Sequence, residues 1–173
     1  KESNFGLREM VLKMVYRVTK AMDPTRPVID VSGGFHSETD IYDTHDYEQD
    51  PAAFAERYRP GAELYDRFAG KQKYDGKLPM FVSEYGGIQW HGDDDGIAGW
   101  GYGNGPKTGE EFIERYRGLT NALLANDQIC GFCYTQLYDV EQEKNGLYTY
   151  RRTPKFDMEI FKAINTAKAA IED

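Results

Sequence analysis

The sequence predicts an α/β fold built from parallel β/α units, and three observations carry that expectation. Segments of helical periodicity alternate with short apolar or β-branched runs, the pattern of parallel βαβ connections. Polar and aromatic residues collect where the expected strands end, at Ser32-Gly33, His45-Asp46-Tyr47, Ser83-Glu84-Tyr85-Gly86 and Tyr134-Thr135-Gln136. In an α/β barrel those C-terminal strand ends build the active site. The chain has 173 residues and about four strands, whereas a whole barrel takes about 250 residues, so half a barrel in a single domain spanning residues 1–173 is expected.

The elements follow in order. Leu7, Met10, Val11, Met14, Val15 and Val18 have the spacing of a helix with one buried stripe, ending at Asp23-Pro24. Pro27 opens a short strand, Val28 to Ser32, closed by Gly33-Gly34, and Ile41 to Tyr47 forms a second. Asp50-Pro51 supplies an N-cap with Pro in the first turn, starting a helix that carries Phe54, Tyr58, Leu64, Tyr65 and Phe68 and breaks at Pro60-Gly61. Met80 to Glu84 is the third strand. Residues 85–107 form a long glycine-rich loop with Trp90, His91 and Trp100, and a loop of that length in a domain is usually functional or disordered. Two tryptophans argue for function. Thr108-Gly109-Glu110-Glu111 is a capping box for a helix to about Asp127. Ile129 to Gln136 is the last strand, and a final helix from about Asp157 carries Ile160, Phe161, Ile164, Ala167 and Ile171.

Composition narrows the partners. A net charge of -8 repels phosphates and anionic lipid, so neither nucleic acid nor membrane is an expected partner. No apolar run approaches the roughly 20 residues of a membrane span, and no signal peptide opens the chain. It starts at Lys1 without Met, as an excised piece would. A soluble protein is expected, with the cytoplasm the preferred compartment. Cys130 and Cys133 lie in one strand at a spacing that puts them on opposite faces, so they read as core residues with no disulfide. The 13 Tyr, 9 Phe and 2 Trp supply either core mass or flat faces for sugar rings. His36, His45 and His91 lack the spacing of a metal motif, and neither metal nor cofactor is expected.

Three stretches together resemble glycoside hydrolase family 2, which contains β-galactosidases, β-glucuronidases and β-mannosidases. Leu78 to Gly87, LPMFVSEYGG, looks like that family's nucleophile strand. Gly131 to Glu141, continuing to Asn145-Gly146-Leu147, resembles its last barrel strand and following loop. Asp23 to Pro27, with Asp40 to Tyr47, resembles its middle strands. The match runs in order over nearly the whole chain, which makes it about strands five to eight of a (β/α)₈ barrel.

The resemblance implies a retaining double displacement, in which one carboxylate attacks the anomeric carbon and a second protonates the leaving group. It makes Glu84 the nucleophile and Glu2 the acid/base. Lys1 stands where the family has Asn before that Glu, and the strand that should carry the pair is absent. Tyr47 takes the place of a Tyr that hydrogen-bonds the nucleophile, while His45 and Asp46 either contact sugar hydroxyls or satisfy buried backbone. Trp90, His91 and Trp100 read as a lid or sugar platform, and Tyr134 and Gln136 line the subsite. Asp139, Glu141 and Asn145 read as holding their loop in shape. A β-galactosidase-like substrate, a β-linked oligosaccharide or glycoside, is the first choice. The other half of the barrel and β-sandwich domains are the implied partners, a homo-oligomer is open, and the chain alone is expected to be inactive. Two rivals stay open: a carbohydrate-binding or assembly half-barrel without catalysis, and a self-contained α/β ligand-binding domain. For the latter, no GxGxxG follows a strand.

Overall fold

A computed structural model describes residues 9–68, 72, 74–90 and 99–172. Its centre is a parallel sheet in the order β1-β2-β3, made of β1 (Tyr42–Asp46), β2 (Met80–Gly86) and β3 (Ile129–Thr135). Helices α1 (Glu9–Met22), α2 (Pro51–Arg57), α3 (Gly109–Leu124) and α4 (Met158–Asn165) alternate with the strands, and a short 3-10 turn, Ala170–Glu172, follows. Parallel neighbours need crossovers, and α2 and α3 supply them in sequence.

Local chemistry sets the helix starts. The Asp50 carboxylate accepts the N–H groups of Ala52 and Ala53, both at 2.8 Å, while Pro51 contributes no N–H that needs a partner. Thr108 Oγ1 accepts Glu111 N–H at 3.2 Å. The Glu111 carboxylate reaches back to Lys107 N at 2.7 Å, one residue earlier than a capping box would place it. Asp157 caps α4 in the same manner. The core lies between the sheet and helices α2, α3 and α4, where Phe54, Tyr85, Phe112, Leu119 and Phe161 are buried.

The structure corrects four expectations. Val28 to Ser32 is irregular chain, so the sheet has three strands instead of four. Its polar groups are taken locally: Val28 N–H goes to the Asp40 carboxylate and Asp40 N–H to Val28 O, both at 2.9 Å. The Asp30 carboxylate accepts the N–H groups of Ser37 and Glu38, which folds the segment into a turn. The helix begun at Pro51 ends at Arg57, before Leu64, Tyr65 and Phe68. The stripe expected to bury α1 faces solvent: Met10, Met14, Val15 and Val18, with Met22, are exposed. The helix is anchored from its other side, by buried Leu12, by Tyr16 donating to Asp40 at 2.7 Å and by the Arg17–Glu38 pair at 2.8 Å. Cys130 and Cys133 are both exposed and free. β2 pairs Met80 with Ile129 and Phe81 with Gly131, so Cys130 is an extra residue that breaks the alternation expected of a regular strand. Among the described residues no helix is long and apolar enough to cross a membrane.

Candidate active site

The C-terminal ends of β1 and β2 meet at a register break. Thr44 pairs with Val82 and His45 with Glu84, so Ser83 is skipped. The ladder to β3 shifts in the same stretch, between Val82 and Tyr85. A bulge of this kind turns the residues after it, and it delivers Glu84 to the side chains at the end of β1. The Tyr47 hydroxyl donates to Glu84 Oε2, and His45 Nδ1 lies 3.6 Å from the same oxygen. His45 is 3% exposed, whereas the Glu84 side chain keeps 26% of its surface open.

These groups are held from behind. Burial first, and then the bond to Glu84, raise the Tyr47 phenol far above its ordinary value, so it remains a proton donor. Its ring stacks on Tyr102 at 3.5 Å and 5°. Gln49 Nε2 donates to Tyr47 O at 3.0 Å and to Gly86 O at 2.5 Å, tying the two strand ends together. Gly87 has φ +59, and a Cβ there would lie 2.4 Å from the Tyr102 ring, which accounts for glycine in the Tyr85-Gly86-Gly87 turn. His45 Nε2 is 3.1 Å from Ser32 Oγ. Gly33 backs its ring so closely that a Cβ would fall 2.2 Å from it. The site thus combines a partly open carboxylate, a fixed phenol donor and an oriented imidazole.

The other expected site residues are dispersed. Asp46 points toward α2, where Arg57 pairs with it at 2.5 Å, and burial raises its carboxyl above the usual range. Trp90 packs edge-on to Phe112 and against Phe156 beside the core, and its backbone N–H donates to Lys144 O. Trp100 is half exposed, lies edge-on to Tyr102 and bonds the loop after β3 through Gln142 O. Tyr134 packs against Tyr85 and Tyr116 and donates to Asn145 O at 3.1 Å, while Gln136 Nε2 approaches Glu143 O at 3.4 Å. Glu2 and His91 lie outside the described residues. The structure therefore brings Glu84, Tyr47 and His45 together and leaves Asp46, Trp90 and Tyr134 pointing elsewhere. Asp139 holds its loop as a buried ion pair with Lys155 at 2.7 Å and accepts Gly146 N–H at 3.0 Å.

Sequence reasoning gave no role to Tyr102, Ser83, Asp43 and Gln49. Tyr102 sat in plain view as another aromatic of the glycine-rich loop, and Asp43 lies two residues before His45, on the same face of a regular strand. A cleft of about 740 Å³ adjoins the site, bounded by His45, Tyr47, Arg57, Arg67, Tyr102 and Arg115. Glu84 is not on its wall; the cleft touches the carboxylate's two neighbours instead.

Solved structures share the fold that carries this site. A β-glucuronidase from an uncultured Clostridium covers 92% of the chain with a TM-score of 0.62 and 17% identity. A family 2 (GH2) β-galacturonidase from Eisenbergiella tayi covers 93% with a TM-score of 0.61 and 15% identity. Bacteroides uniformis β-glucuronidase 2, covalently bound to a cyclophellitol-6-carboxylate aziridine, covers 84% with a TM-score of 0.55 and 20% identity. The chain shares their fold. It spans 30% of the first two and 18% of the third. No family model and no curated protein matches the chain.

Proposed function

We propose that the chain is the nucleophile-bearing part of a retaining family 2 β-glycosidase, about strands five to eight of its catalytic barrel, with Glu84 as the nucleophile. The observation that carries this reading is the Tyr47–Glu84 pair at the end of the central strand, with His45 beside it. Tyr47 fixes one carboxylate oxygen and its lone-pair direction, and Glu84 attacks an anomeric carbon through its other oxygen. The departing oxygen takes a proton from an acid/base, the role assigned to Glu2, which then deprotonates the water that releases the sugar. Retention requires the two carboxyls to stand about 5 Å apart. The other barrel strands and β-sandwich domains of a longer enzyme are the proposed partners.

The substrate is a β-linked glycoside. A β-galactoside is the choice carried by the sequence resemblance, and β-uronides join it because the solved neighbours named above are a β-glucuronidase and a β-galacturonidase. The exposed Met10, Met14, Val15, Val18 and Met22 on α1 favour a second reading, a half that closes a barrel with a partner and performs no catalysis alone.

Nitrophenyl β-galactoside, β-glucuronide and β-galacturonide offered to the purified chain test this. Little or no nitrophenol is expected, because a three-stranded sheet walls only part of the pocket that the proposed reaction needs. Release that disappears in Glu84→Gln would overturn the expected inactivity and support the nucleophile. Release that persists unchanged in Glu84→Gln would overturn the nucleophile.

A further inference from the structure

The double displacement makes no use of His36, yet this is among the most confined ionisable groups in the chain, with a side chain 4% exposed. Its Nδ1 lies 2.6 Å from Asp30 Oδ1 and its Nε2 2.9 Å from Asp43 Oδ1, and both carboxylates are wholly buried. A neutral ring has one N–H and could satisfy only one of them. Two buried anions on opposite ring nitrogens call for an imidazolium. Burial opposes the charge, but the hydrogen bonds to Asp30 and Asp43 outweigh it and push the imidazole up to about 10. In that form Nε2–H donates to Asp43 O at 3.0 Å, while Asp43 Oδ1, which takes no hydrogen bond of its own, pairs with the ring by charge. The Asp43 N–H, 3.2 Å from the same nitrogen, could be accepted only by the neutral ring, which would leave one carboxylate uncompensated.

We propose that His36 is a positioning residue for Glu84, acting through Asp43 and the Ser83 bulge and touching no ligand. The second oxygen of Asp43 accepts the Gly33 N–H at 2.8 Å and the Ser83 hydroxyl. Ser83 is the residue skipped in the pairing with β1. A bulge aims the next side chain only while its extra residue stays fixed, and Ser83 is fixed by Asp43. Without the imidazolium, Asp43 faces Asp30 as a like charge in a dry site, so its carboxylate must turn. That turn releases Ser83, and Glu84 drifts from Tyr47. The groups facing His36 are Asp30 from the preceding turn, Asp43 and the Tyr42 ring from β1, and Gln72, which accepts the His36 backbone N–H at 2.6 Å.

This inference rests on Glu84 as the nucleophile for its purpose, but its test needs no sugar chemistry. NMR on the full chain at pH 8.5 is expected to show both His36 ring nitrogens protonated; a neutral ring overturns the proposal. The Tyr47 hydroxyl proton, assigned by its absence in Tyr47→Phe, reports the bond to Glu84. In Ser83→Ala it is expected to exchange about tenfold faster, the protection of one hydrogen bond. Ser83→Ala leaves the cation between its carboxylates and so tests the link even where His36→Gln fails to fold. His36→Gln should accelerate exchange as well, and the double variant no further, because the two act in series. An unchanged hydroxyl signal in Ser83→Ala, or additive effects, reduces His36 to a structural cation and overturns the proposal. A failure of Glu84 as nucleophile would leave all of these signals in place.

Discussion

Raising the pH from 6.5 to about 10 is expected to remove roughly 5 kcal/mol of folding stability through His36 alone, at about 1.36 kcal/mol per pH unit. The folded chain holds this proton more tightly than the unfolded one. Its contribution is therefore complete below 6.5 and disappears as the pH passes through about 10. The thiols of Cys130 and Cys133, raised by burial from 9.0, add to the loss near the top of this window, and the phenols of Tyr42 and Tyr47, raised from 10.0, enter above it. Urea unfolding at several pH values between 6 and 9.5, followed by fluorescence of the two tryptophans, measures the slope. His36→Gln should be less stable at pH 6 and nearly flat up to about pH 8, below the range of the raised Cys130 and Cys133 thiols. Parallel curves for the wild type and the variant would show that the ring is neutral.

Lys155→Met is expected to cost about 3–5 kcal/mol, the usual penalty for removing one partner of a buried pair. The Lys155 and Asp139 side chains are 5% and 7% exposed, so Asp139 would be left ionised in a dry site. Lys155 Nζ also donates to Trp90 O at 3.2 Å, so the change loosens the stretch that seats Trp90 on Phe112 and Phe156. A lower urea midpoint and altered tryptophan emission are the expected readouts. Adding Asp139→Asn should recover most of the loss, because the amide oxygen can still accept the Gly146 N–H without a charge to compensate. A loss under about 1 kcal/mol would mark the pair as a solvated one.

What the sequence discloses and what it hides divide along the range of the interactions. The helix starts at Pro51, Gly109 and Met158 were legible because Asp50, Thr108 and Asp157 act on backbone within three residues. β1 and β2 were legible from their short apolar runs, and Glu84 with Tyr47 from the strand ends they occupy. The direction of the α1 stripe was hidden, since periodicity gives a face but not what covers it. Val28 to Ser32 has strand-like residues, but Asp30 and Asp40 divert its hydrogen bonds into a turn, a choice that composition does not reveal. The bulges at Cys130 and Ser83 changed the facing of every residue counted through them, which is why the cysteines are exposed and the alternation misled. His36 was seen only as a histidine without metal spacing. Its role needs Asp30 and Asp43 on either side of it in space, and only the packed turn against β1 brings them there.

Covalent trapping is the most direct test of Glu84 as the attacking carboxylate. Trapping needs one attack instead of turnover, so it can read Glu84 even where hydrolysis fails. The full chain is incubated for hours with excess cyclophellitol-type aziridine in β-galacto and β-glucurono forms, then weighed intact and digested for peptide mapping. A single adduct on Glu84, lost in Glu84→Gln, is the predicted result. An adduct on another carboxylate, or one that persists in Glu84→Gln, would contradict it.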